Sequence, residues 1–77
     1  MKNRKLFLIG KQIRRLREEK GISQEEFAAL AGLDRAYYGG IERGERNMAA
    51  LNLIKIAVAL DVEVGDLFPK LTELRRK

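Results

Sequence analysis

The chain has 77 residues, enough for one small domain with a modest hydrophobic core. It contains neither cysteine nor histidine, which excludes disulfides, thiolate or imidazole metal sites and the usual hydrolytic triads. Sixteen lysine and arginine residues against eleven acidic ones leave a net charge of +5, which favours a polyanionic partner. We therefore expect a binding protein, not an enzyme, without cofactor or metal.

No apolar run is long enough to span a membrane, and the apolar stretch near the N-terminus is too short for a secretory signal, so we expect a cytoplasmic protein. Only Pro69 interrupts the pattern, and no linker or repeat divides the chain, so residues 1–77 are predicted to form a single domain. A basic amphipathic binder of membrane surfaces is an open alternative, but such a chain would fold only on lipid. Continuous apolar periodicity instead predicts cooperative folding in water.

Two helices are predicted in the first half of the chain. The first covers roughly residues 5–20, where apolar side chains recur at helical spacing, at Leu6, Ile9, Ile13 and Leu16. The second covers about residues 24–31, because Ser23 and Glu26 have the spacing of a capping box. Only a few residues separate the two helices.

A third helix is predicted over about residues 35–43, with Asp34 as its N-cap and Gly44 ending it in a left-handed turn. Two adjacent glycines inside this helix would cost it about 2 kcal/mol relative to alanine. The alternative is a helix that ends near Tyr38, with Gly39 as its C-cap.

The third helix has one face of small residues between arginines, formed by Arg35, Ala36, Gly39, Gly40 and Arg43. Tyr38 and Ile41 lie on the opposite, apolar face, and Tyr37 lies at the border, where its hydroxyl is a candidate for a phosphate contact. Small side chains flanked by arginine favour close approach to an anion. The pattern is typical of a helix in a DNA major groove, with the first arginine placed to bind guanine.

A fourth helix is predicted over about residues 49–60 and a fifth from Val64 or Asp66 to the C-terminus. If Asp66 caps the fifth helix, Pro69 falls in its first turn, where proline is tolerated.

The fourth helix carries two apolar stripes. One is predicted to face the core and comprises Leu53, Ile56, Ala57 and Leu60; the other comprises Leu51, Ile54 and Val58. A domain of this size cannot bury both, so the second stripe is predicted to be a dimer interface, joined by Leu71 and Leu74. The alternative is that the fifth helix covers it within one chain.

Three stretches, IRRLREEKGISQEEFAALAGL, IERGERN and LIKIAVALDVEVGDLF, resemble in order the Cro/C1-type, or XRE, family of helix-turn-helix proteins. Within that family, LDRAYYGGIERGERN and the short chain are most similar to restriction-modification controller proteins. The resemblance implies an all-α, lambda-repressor-like domain of five helices, with the second and third as the DNA-reading pair. It also implies a homodimer that activates or represses transcription from a palindromic operator on double-stranded DNA, with no small-molecule ligand. The alternative is an antitoxin or other protein-interaction module on the same fold.

The resemblance also implies roles for individual residues. Base readout falls on Arg35, Ala36, Gly39 and Gly40, and contacts to the DNA backbone fall on Gln24, Arg43, Arg46 and Asn47. Arg17 and Glu42 are expected to form a buried ion pair. Met48 and Ala49 stand where the family usually has Pro-Ser, so Asn47 is expected to cap the fourth helix instead.

Overall fold

The computed structural model describes residues 3–76. This part of the chain forms five α-helices, one short 3₁₀ helix and no strand. The helices are α1 (Arg4–Glu19), α2 (Gln24–Ala31), α3 (Arg35–Glu42), α4 (Ala50–Leu60) and α5 (Leu71–Arg75), and the 3₁₀ helix spans Val64–Leu67. The predicted all-α, five-helix fold is confirmed.

The ends of α2 and α3 follow the local capping signals. Ser23 and Glu26 form the predicted capping box at the start of α2, and the Asp34 carboxylate accepts a hydrogen bond from the Tyr37 amide at the start of α3. Gly44 has a φ of 76°, which ends α3 in the left-handed conformation. The alternative of a third helix that stops near residue 38 is wrong.

The C-terminal predictions need correction. The backbone of Phe68 is extended, which separates the 3₁₀ helix from α5, so one continuous fifth helix from Val64 or Asp66 is wrong. The physical reason is that proline sterically disfavours helical geometry in the residue that precedes it. Asp66 instead lies inside the 3₁₀ helix, where its carboxylate accepts a hydrogen bond from the amide of Glu63, the residue before that helix. Asn47 does not cap α4, whose N-cap is Ala49 without a side-chain hydrogen bond.

The core draws side chains from four α-helices and the 3₁₀ helix. Its largest fully buried members are Ile13, Phe27, Tyr38, Ile41, Ile56, Leu60 and Leu67. The rings of Phe27 on α2 and Tyr38 on α3 pack at a centroid distance of 5.1 Å, a favourable tilted arrangement. This contact joins the two helices of the predicted DNA-reading pair inside the core.

Close backbone packing sets α1 against the end of α3. A β-carbon on Gly10 would lie 2.6 Å from the carbonyl oxygen of Glu42, and one on Gly44 would lie 2.5 Å from the α-carbon of Phe7. Larger residues at these two positions would push α1 away from α3. The position of α3 therefore depends on α1 as well as on α2.

Candidate nucleic-acid interface

The N-terminal end of α2 and the outer face of α3 enclose a shallow concavity of about 500 Å³. It is lined by Gln24, Asp34, Arg35, Ala36, Gly39 and Arg43. Five of these six residues, all but Asp34, are the ones that the sequence predicts to contact DNA. The fold therefore brings most of the predicted contact residues to one surface.

Arg35 and Ala36 project from the first turn of α3 into solvent. Arg35 donates through Nη1 to the Glu25 carboxylate on α2 at 2.6 Å, and the two side chains are 73% and 70% exposed. An ion pair this exposed is weak, so the guanidinium is free to exchange its partner for another acceptor. The start of α3 thus presents an arginine and a methyl group outward.

Gly39 and Gly40 are buried, which differs from the expected bare face of small residues. A β-carbon on Gly39 would lie 3.1 Å from Nη1 of Arg43, and one on Gly40 would lie 2.7 Å from Cγ of Arg46. The physical reason is that glycine has no side chain, so a long arginine side chain can pack against the helix backbone while its charged end stays in water. Arginine side chains therefore cover the glycine pair.

Tyr37 connects this surface to α4. Its hydroxyl oxygen accepts a hydrogen bond of 3.0 Å from Nδ2 of Asn52, and the ring lies 6.0 Å from the Cζ atom of Arg46. That distance is at the limit of a cation–π contact. Arg46 and Asn47 are both exposed in the loop before α4.

Arg43 and Gln24 also have partners within the chain. Nε of Arg43 donates to Glu45 at 3.0 Å, in a pair that is about half exposed. Nε2 of Gln24 donates to Oε1 of Glu42 at 2.9 Å. The Gln24 amide, expected from the sequence to meet a phosphate, thus also ties the start of α2 to the end of α3.

Below this surface, Arg17 and Glu42 form a buried ion pair. Nε and Nη2 of Arg17 donate to the two carboxylate oxygens at 2.7 and 3.0 Å, and Nη1 donates to the carbonyl oxygen of Ile22 at 2.7 Å. The Tyr38 hydroxyl also donates to Glu42. Among residues 3–76, no buried side-chain polar atom lacks a hydrogen-bond partner.

The pKa values in this cluster follow from its hydrogen bonds. Burial alone would raise the pKa of Glu42, but hydrogen bonds from Arg17, Tyr38 and Gln24 outweigh it and hold the pKa below its usual range. The bond to Glu42 raises the pKa of Arg17, and burial together with Glu42 raises that of Tyr38. At neutral pH, Glu42 is therefore ionised and Tyr38 is a neutral donor to it. The sequence predicts Tyr38 only as a core residue, although its spacing of four residues from Glu42 allows this contact.

The second apolar stripe of α4 is uncovered in the described part of the chain. Leu51, Ile54 and Val58 are 73%, 47% and 74% exposed, so the alternative of a fifth helix covering them is wrong. The C-terminal segment instead contacts the start of α1, where Nη1 of Arg4 donates to the carbonyl oxygens of Glu73 and Arg76.

A family model described as helix-turn-helix matches residues 13–67, which is most of the chain. The chain belongs to the helix-turn-helix family. The matched residues run from the middle of α1 to the end of the 3₁₀ helix and include both α2 and α3. The Cro/C1-type resemblance drawn from the sequence is confirmed.

Restriction-modification control proteins are among the relatives of this helix-turn-helix chain. It is 47% identical over 60 residues to control protein C.MunI of a Mycoplasma species, covering 77% of this chain and 81% of the relative. The controller protein C.AhdI from Aeromonas hydrophila, whose crystal structure is known, is 52% identical in sequence to this chain. The two structures superpose with a TM-score of 0.80, over 82% of this chain and 96% of that one.

A second kind of relative is a regulator solved with DNA. The structure of SinR, the master regulator for biofilm formation, in complex with DNA is 40% identical to this helix-turn-helix chain, with a TM-score of 0.74. The match covers 77% of this chain and 95% of that one.

No helix within residues 3–76 has the length and apolarity needed to cross a membrane.

Proposed function

We propose that this protein is a sequence-specific transcriptional regulator that binds double-stranded DNA as a homodimer, in the manner of a restriction-modification control protein. The observation that carries the proposal is the outer surface of α3, where Arg35 and Ala36 project at the start of the helix. Arg43 lines the same concavity, Arg46 lies across Gly40, and the Aeromonas control protein has the same fold at 52% identity.

The residues proposed to contact DNA divide into two groups by chemistry. Arg35 donates a pair of hydrogen bonds to guanine, the commonest specific contact of arginine in the major groove, and Ala36 contacts a thymine methyl. Gly39 and Gly40 follow on the same face of the helix. Backbone contacts, which position the protein without reading sequence, come from Gln24, Tyr37, Arg43, Arg46 and Asn47.

The start of α2 favours a phosphate as well. Free backbone amides and the positive end of the helix dipole attract anions at this position. Gln24 is the first residue of α2, so a phosphate placed there would lie beside its side chain. We therefore place one DNA strand across the start of α2.

A second copy of the chain would cover Leu51, Ile54 and Val58, which form a contiguous exposed stripe on one helix. Two-fold symmetry brings the same stripe of both copies together. The two α3 helices would then read half-sites about 34 Å apart, one turn of the duplex, which makes the operator palindromic.

The deciding experiment is selection of bound duplexes from a random library at near-physiological salt, with the mass of the complex measured by sedimentation. We expect a palindromic consensus bound by two chains. A single half-site bound by one chain would overturn the dimer. Folded protein that enriches no sequence would overturn the regulator and favour a protein partner.

A further inference from the structure

Each glycine of the pair in α3 lies against an arginine side chain, and the two contacts are unequal. A β-carbon on Gly40 would lie 2.7 Å from Cγ, 3.7 Å from Cδ and 3.5 Å from Nε of Arg46, so the whole stem crosses this glycine. On Gly39 a β-carbon would meet the ends of two side chains, with Nη1 of Arg43 at 3.1 Å and Oε1 of Gln24 at 3.4 Å. The end of a flexible side chain can swing aside, whereas a displaced Cγ requires a new rotamer at the base of the side chain.

The surroundings hold Arg46 at this place. The amide of Glu45 donates to the carbonyl oxygen of Gly40 at 2.8 Å, which anchors the backbone next to Arg46. The Tyr37 ring, 6.0 Å from Cζ of Arg46, is fixed in turn by the hydrogen bond from Asn52. Arg46 thus lies across Gly40 with an aromatic ring beside its guanidinium.

Arg46 also differs from its neighbours in charge pairing. Arg35 and Arg43 each have a carboxylate partner, at 2.6 and 3.0 Å. Within the part of the chain that the structure describes, no carboxylate lies within ion-pair distance of Arg46. Its positive charge is therefore available to a phosphate without breaking an ion pair first.

We infer that Gly40 is a positioning residue that, with the ring of Tyr37, holds Arg46 ready for the DNA backbone, so that this glycine acts through Arg46 and not through its own contact with a base. The inference rests on the proposed function. Holding the side chain before binding reduces the conformational entropy lost when the phosphate contact forms. It also explains why two poor helix formers stand inside α3: the first admits the end of Arg43 and the second the stem of Arg46.

The test compares Gly40→Ala with Gly39→Ala, each alone and combined with Arg46→Ala. Affinity is measured for the selected operator and for a random duplex over a range of salt concentrations. Alanine favours helix over glycine, so neither variant should lower the melting temperature through α3 itself. We expect Gly40→Ala to weaken binding to both duplexes about fivefold to tenfold and to reduce the salt slope by about one. Gly39→Ala should leave the contribution of Arg46 intact.

The double variant separates the two explanations. If Gly40 acts through Arg46, adding Gly40→Ala to Arg46→Ala has no further effect. The same loss in both backgrounds would mean that Gly40 meets DNA itself, and an unchanged affinity and salt slope in Gly40→Ala would also overturn the inference.

A readout without DNA separates this inference from the proposed function. In the free protein, the Nε–H resonance of Arg46 should show the influence of the Tyr37 ring and lose it in Gly40→Ala but not in Gly39→Ala. An unchanged resonance in Gly40→Ala overturns the positioning role. If the parent protein binds no duplex, the proposed function fails, and the resonance alone decides whether Gly40 positions Arg46.

Discussion

The carboxylate of Glu42 at the end of α3 accepts hydrogen bonds from both Nε and Nη2 of Arg17 on α1, at 2.7 and 3.0 Å. The same carboxylate accepts a third bond from Gln24, the first residue of α2. One buried anion therefore connects α1 to α2 and α3, the two helices that form the proposed DNA-binding surface. Glu42 thus fixes the position of α2 relative to α3, below the solvent-facing residues of the proposed DNA-binding surface.

Replacing Glu42 by alanine should strongly destabilise the fold. The change leaves the Arg17 guanidinium buried without its counter-ion, which costs about 3 to 5 kcal/mol. Urea unfolding at fixed protein concentration measures the loss, with Glu18→Ala as control because the Arg14–Glu18 pair is exposed. The control should lose less than about 1 kcal/mol. A loss that small for Glu42→Ala would show that the ion pair contributes little to stability.

Acid should destabilise the protein through Glu42. The pKa of this group is lowered in the folded state from its ordinary value of 4.5, so its contribution is complete above that value and is lost as the pH falls through the lowered pKa. Glu42→Gln cannot titrate, and we expect it to be less stable at neutral pH but to lose less further stability between neutral and acid pH. Unfolding curves from pH 7 downward measure the difference. Equal pH slopes for parent and variant would exclude this linkage.

The sequence predicted the features that depend on neighbouring residues. Ser23 and Asp34 begin helices and Gly44 ends one, all through contacts within three or four positions, so their spacing alone identifies them. The break at Phe68 is equally local, but the sequence prediction of one continuous fifth helix does not include it, because that prediction takes account of proline in a first turn and not of its effect on the residue before it.

The covering of Gly40 is out of reach of such reasoning. It depends on the rotamer of Arg46, six positions beyond Gly40 and across a turn, and a helical projection of α3 does not include that residue. The close approach of α1 at Gly10 is likewise a contact between distant segments. Periodicity identifies which face of a helix carries small residues, but not which side chains from other segments cover that face.

Ile54→Glu should convert the proposed dimer into a folded monomer. A charge in the centre of the exposed stripe would be buried without a partner in any dimer that uses this face. Sedimentation and circular dichroism check mass and fold together. Leu30→Glu is the matched control, since Leu30 is an exposed apolar residue on α2 and not on α4. Persistence of the dimer in Ile54→Glu would move the interface elsewhere.

Arg35→Ala should relax sequence discrimination at one base pair in each half-site. A bidentate arginine–guanine contact discriminates by about 1 to 3 kcal/mol against a wrong base. Competition among operator variants that differ at single positions measures this. Arg14→Ala is the control, because Arg14 is also exposed and paired with a carboxylate, but lies on α1. Unchanged discrimination in Arg35→Ala would remove this residue from base readout.

Glu45→Gln should tighten binding to all duplexes alike. The Glu45 carboxylate pairs with Arg43 at 3.0 Å in the free protein, so it competes with a phosphate for the guanidinium and also repels that phosphate. Exposed pairs of this kind are worth up to about 1 kcal/mol, which sets the expected gain at about twofold to fivefold. The gain should shrink as salt rises, because screening weakens both effects.

The control for that change is Glu19→Gln, since Glu19 is a similarly exposed partner of Arg15 on α1. Both variants raise the net charge by the same amount, so any general attraction to DNA rises equally in the two. A larger gain for Glu45→Gln than for Glu19→Gln therefore measures the release of Arg43 itself. Equal gains would mean that Arg43 does not reach the DNA backbone, and that only net charge had changed.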